Sequence, residues 1–131
     1  MFVKRRYLKV MRSKESLEIL MEKLEERERN LVEKIIEPEE TILSVAKGNL
    51  NEEGNYSEYL LIVTGKRIVK LGTDGKIQKE IDIQRITQVN FNDYLGNSEL
   101  ILVVDGKEIP IARFSREKIE EFRHTAGVIS A

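Results

Sequence analysis

Residues 1–37 and 41–114 obey different hydrophobic periods, and Pro38 stands between them. Before Pro38 there is no Gly or Pro. Val3, Tyr7, Val10, Leu17, Met21, Leu24, Leu31 and Ile35 fall on a seven-residue repeat interrupted by Lys14 and Glu28. That spacing predicts one long amphipathic helix, or a helix from about Ser13 with a basic lead-in, ended by a proline that cannot continue it. The apolar stripe needs a partner, because an isolated helix is marginal in water. Two partners fit it: the body of the same molecule, or a second helix meeting it as in a coiled coil. Leu17, Met21, Leu24, Leu31 and Ile35 are the residues it would offer.

After Thr41 the period is that of strands. "TILSVAKGNL", "SEYLLIVT", "RIVKLG", "KIQKEIDI", "ITQVNFND", "ELILVVD" and "KEIPIARF" are seven short β-rich runs, separated by "NEEGN", "TGK", "TDGK", "QR", "YLGNS" and "DGK". Asp-Gly between apolar alternations predicts two-residue type I′ hairpins, which need positive φ at both central residues. Pro110 lacks the ladder N–H, so its strand is expected at an edge or unpaired there. From Ser115, a plausible N-cap, the period returns to that of a helix with Ile119, Phe122, Ala126 and Ile129 on one face. The expectation is an α+β fold: a seven-stranded antiparallel barrel or bent sheet capped by a C-terminal helix, in segment 38–131, preceded by the long helix of segment 1–37.

Three Gly-Lys pairs raise the question of a phosphate loop, which needs Gly, four residues, then Gly-Lys-Ser/Thr opening a helix. Five residues before each second glycine stand Leu60, Lys70 and Ile101, and after each lysine Arg67, Ile77 and Glu108. Strands follow each pair. The Gly-Lys pairs turn corners.

Other chemistry is thinly provided for. With no cysteine and one histidine, thiolate sites, disulfides and histidine clusters are excluded, and neither a metal nor a cofactor is expected. His124 lies off the apolar face of its helix, Ser57, Ser98 and Ser115 fit turns or caps, and Asp74 and Asp105 are explained by their turns. Glu52-Glu53 and Glu120-Glu121 read as solvated surface. No catalytic residue is assigned. No apolar run approaches the roughly 18 residues that cross a bilayer, and no signal peptide is visible, so a soluble cytoplasmic chain is expected.

Charge is distributed unevenly behind a net of −1. Lys4, Arg5, Arg6, Lys9 and Arg12 form a basic tip without acids, residues 13–40 set five bases against ten acids, and the body is balanced. The tip could touch anionic lipid at the inner face of the membrane, at about 1 kcal/mol per basic residue, or simply be solvated. Nucleic acid fits poorly, for want of a pervasive positive field.

"EPEETILSVAKGNL", "LLIVTGKRIVKL", "IDIQRITQVNF" and "LGNSELILVVDG" follow the order of the bacterial pleckstrin-homology-like domains, and the chain resembles that family, including its YokE-like group, from Glu39 to Ile129. The resemblance implies a PH-like barrel and a non-catalytic binding role. Eukaryotic pleckstrin-homology domains grip inositol phosphates through basic residues of the first hairpin loop. Here that loop, residues 48–59, holds Glu52, Glu53 and Glu58 and no base, the wrong sign for phosphate. No specific phosphoinositide is therefore expected. "ARFSREKIEEFRHTAGVI" and "VNFNDYLGNSELIL" are further similar to the N-terminal domain of certain bacterial ABC exporters, which implies a regulatory or docking domain in contact with the rest of a transporter. A free-standing protein that self-associates through its N-terminal helix is the alternative.

Overall fold

The computed structural model describes residues 21–22 and 24–130. Seven antiparallel strands run β1 (Ile42–Leu50), β2 (Tyr56–Thr64), β3 (Arg67–Gly72), β4 (Ile77–Asp82), β5 (Ile86–Tyr94), β6 (Asn97–Val104) and β7 (Lys107–Ser115). They form one bent sheet in the order β4-β3-β2-β1-β7-β6-β5. Helix α1 (Glu26–Ile35) precedes the strands and α2 (Ile119–Ser130) follows them, entered through a 3-10 turn at Arg116–Lys118.

The continuous apolar run of β2 has a structural cause. Tyr59, Leu61 and Val63 point into the barrel, where they meet Leu100, Leu102 and Phe114. Leu60 and Ile62 point the opposite way, into a second cluster with Leu24, Val32, Val45 and Val69. A strand buried on both faces loses the polar half of its alternation. Helix α2 closes the first cluster with Phe122, Ala126, Val128 and Ile129, and Phe122 meets Phe114 edge to face at 5.9 Å. Helix α1 covers the second.

One unbroken helix up to Pro38 does not form. The chain bends at Leu24, whose side chain is buried on the sheet, and α1 starts afresh at Glu26. Glu28, one of the two interruptions of the heptad stripe, supplies the new start: its carboxylate accepts the Glu25 N–H at 2.8 Å. That is half of a capping box, satisfying one orphan donor of the first turn.

Turn chemistry is mixed. Asp105 and Gly106 both have positive φ, 52° and 79°, as a type I′ hairpin requires. At Asp74-Gly75 only the glycine does. Here the loop is longer, with the Gly72 N–H donating to the Lys76 carbonyl at 2.8 Å and Asp74 accepting the Lys76 N–H at 3.0 Å. Pro110 sits where the β6–β7 register shifts, and β7 meets β1 only at Leu50 and Arg113, so its missing N–H breaks no ladder bond there. Ser115 does not cap with its side chain, because Asn49 engages it: the Asn49 amide donates to the Ser115 hydroxyl (2.8 Å) and accepts the Ser115 N–H (3.0 Å).

Candidate functional site

Three polar or exposed regions stand out from this frame. The first is built on "TGKR". The Thr64 hydroxyl accepts the N–H groups of Lys66 and Arg67 (3.1 and 3.0 Å), shaping the β2–β3 turn, and donates to the buried Glu40 carboxylate at 2.7 Å. Arg67 grips that carboxylate with two nitrogens, at 2.8 and 3.0 Å, and with its remaining donors reaches the Ile35 carbonyl (2.7 Å) and Glu80 (3.2 Å). One guanidinium thus closes the end of α1, holds the linker and pins a hairpin. Its hydrogen bonds depress the Glu40 carboxyl to a pKa of about 2, against the penalty of burial.

The second region is the corner where the β1–β2 loop meets β3, β4 and β7. The loop is acidic, as its sequence says, but the strands behind it carry Lys70, Lys79 and Arg113. Each is engaged within the molecule. Lys79 donates to Glu52 at 2.6 Å and to the Pro110 carbonyl at 2.7 Å. Arg113 donates to Asn97 and to the Glu52 carbonyl, both at 2.7 Å, and lies 4.2 Å above the Tyr94 ring. Buried Lys70 rests 4.4 Å over the Tyr59 ring, its pKa lowered by desolvation and by Lys79, while Lys79 lowers that of Glu52. Tyr59 joins the two halves of the sheet: its hydroxyl donates to the Leu50 carbonyl (2.8 Å) and accepts the Arg113 N–H (2.8 Å). Burial pushes that phenol up to about 12. Gly48 makes room for the ring, since a Cβ there would lie 2.0 Å from it.

The third region is the β5–β6 hairpin, where Phe91 and Tyr94 are almost half exposed and Leu95, at the tip, is 98% exposed. Phe91 meets Phe122 of α2 edge to face at 5.9 Å.

Among the residues singled out from sequence, Leu24 is buried and Met21, Leu31 and Ile35 pack partly against the outer face of β1–β3. Leu17 and the basic tip, Lys4, Arg5, Arg6, Lys9 and Arg12, lie outside the described residues. His124 is exposed on α2. Sequence reasoning missed the Glu40–Arg67 pair, the Tyr59 bridge and the three cations behind the acidic loop. A lysine within the otherwise apolar stretch Ile68–Leu71 was the available signal for Lys70.

The family model of the bacterial PH domain matches residues 36–126, which span all seven strands and most of α2. The chain belongs to the bacterial PH domain family. The fold also matches the crystal structure of a DUF1696 family protein with a pleckstrin-homology domain from Shewanella loihica PV-4, with a TM-score of 0.53 at 14% identity over 78% of this chain and 92% of that one. No curated protein matches the chain. PH-like domains are in general non-catalytic binding modules, and no helix among the described residues is long and apolar enough to cross a membrane.

Proposed function

We propose that this bacterial PH domain is a non-catalytic protein-docking module, serving as the N-terminal cytoplasmic domain of a bacterial ABC transporter. The observation that carries the docking role is the closed polar corner. Lys79 and Arg113, which could take a phosphate, are spent on Glu52, Asn97 and backbone carbonyls, and Lys70 is buried on Tyr59. A headgroup would have to displace those contacts and face Glu52 and Glu53. Among the described residues the most exposed large apolar side chain is Leu95, at the hairpin tip beside Tyr94, and an apolar tip suits a protein partner. The similarity of "VNFNDYLGNSELIL" to exporter N-terminal domains falls on this same hairpin.

Two experiments test the reading. Sedimentation with vesicles carrying phosphatidylinositol phosphates, against vesicles matched in charge with phosphatidylserine, should show no preference for the inositol lipid; a clear preference overturns protein docking. In the source gene, apolar runs of about 20 residues followed by a Gly-x-x-x-x-Gly-Lys-Ser/Thr loop downstream of residue 131 support the transporter assignment. A stop codon at once after Ala131 removes it. In a transporter, the basic tip would add contact with the anionic inner leaflet, seen as salt-sensitive binding to phosphatidylserine vesicles.

A further inference from the structure

The sheet ends in two edges, and they are not alike. β4 has six residues and carries Lys79, Glu80 and Asp82, the charges that deter a second strand from pairing. β5 has nine residues and bonds to β6 along its length, from Ile86 opposite Val104 to Tyr94 opposite Asn97. No described strand pairs with its other side. From Ile86 to Asn92 it has no charge and no proline. Its protection is confined to its ends, an irregularity in register between Ile86 and Gln88 and the charge of Asp93, and the stretch between them is a bare edge.

Its sequence is also complementary to itself. We propose that β5 is a dimerisation edge, on which a second copy of this chain pairs its own β5 antiparallel about a two-fold axis through Asn90. Asn90 is the midpoint of the strand. In this register Phe91 stands opposite Val89 of the second copy, Gln88 opposite Asn92, and Thr87 opposite Asp93. No like charges meet. Beyond the irregularity at Ile86–Gln88, Val89 and Phe91 lie on the inner face, Val89 at the margin of the barrel core and Phe91 on Phe122, so the half-exposed Phe91 gains an apolar neighbour. The even-numbered positions carry amides: Gln88 donates to Asn90 at 2.7 Å and Asn90 to Glu108 at 3.4 Å, a row that the second copy would extend across the axis. Moving the axis to Phe91 would set Val89 against Asp93, burying a carboxylate against an apolar side chain, which disfavours that register. The pairing holds whether or not the chain precedes a transporter, since it uses only the edge and its side chains.

The test is sedimentation velocity across a concentration series on the full chain, with circular dichroism to verify that each variant folds. The wild type should dimerise reversibly. Asn90→Lys and Asn90→Glu, each alone, set like charges against each other at the axis and should weaken the dimer about tenfold or more. An equimolar mixture of the two should restore it, because opposite charges then meet. A wild type that stays monomeric at the highest soluble concentration overturns the proposal and leaves the edge to the strand of another protein. A dimer unmoved by either single variant, or singles that weaken without rescue on mixing, overturns the β5 register.

Discussion

Strands β1–β3 pack against hydrophobic clusters on both faces, whereas β5–β7 do so on one. In the first half the inner face joins the barrel core and the outer face is covered by Leu24, Val32 and the flanks of α1. In the second half the inner face joins the same core, and no described helix covers the outer face, where Gln88, Val103 and Glu108 stand. The difference teaches what the N-terminal segment is for in this fold. Apolar area removed from water contributes roughly 25 cal/mol per Å², so a sheet written with apolar residues on both faces needs a second cover. The half without that cover has alternation and an open edge, and it carries the exposed apolar tip.

Substitutions on the two outer faces should break the comparison most sharply. Ile62→Ala, beneath α1, leaves a cavity in a fully buried cluster and should cost about 2–5 kcal/mol in urea unfolding, against less than about 1 kcal/mol for Val103→Ala on the uncovered face. Equal costs would show that α1 does not seal the first half.

The ion pair that fastens the cover gives a pH signature. The Glu40 carboxyl has a pKa of about 2 in the folded chain, against an ordinary 4.5 when unfolded. Its folded pKa is depressed, so the stability it contributes, on the order of 3 kcal/mol, is complete above about pH 4.5 and is lost as pH falls toward 2. Glu40→Gln should therefore be markedly less stable than the wild type at pH 7, and the gap should shrink by more than half at pH 3. A gap constant with pH would mean that the carboxylate charge contributes nothing.

The seam between the halves is expected to be weaker. Tyr59→Phe removes the hydroxyl that ties Leu50 to Arg113 and leaves a part-buried N–H and C=O short of a partner, for about 1–2 kcal/mol. Hydrogen exchange should sharpen the point, with amides of β7 near Arg113 losing more protection than those of β2–β3. Uniform loss would indicate that the two halves open together. The smallest effect is expected at the charged edge: Glu80→Thr gives up one partly exposed contact with Arg67 and should change stability by less than about 1 kcal/mol.

Much of the fold was legible in sequence because it is local. The seven strands follow from short β-rich runs, alternating or continuously apolar, the corners from the turn residues between them, and the closing helix from Phe122, Ala126 and Ile129, all on the face that enters the core. The helix break at Leu24 was not legible, because heptad spacing records which residues are apolar and not the surface they must fit. Nor was the Ser115 exchange with Asn49, since the two are 66 residues apart. The candidate site was legible only in part. The acidic loop can be read directly, but Lys70, Lys79 and Arg113 reach it from three separate strands.

Sequence by itself therefore determined the order of the strands and closing helix, the places of the turns between them and the family, since periodicity and turn chemistry act over a few neighbouring residues. Tertiary structure decided where the N-terminal stripe is buried, that Arg67 closes over Glu40, and that the two edges of the sheet are the charged β4 and a β5 uncharged from Ile86 to Asn92. Those features depend on residues tens of positions apart, whose meeting is fixed by the bend and register of the sheet and by no local preference of the chain.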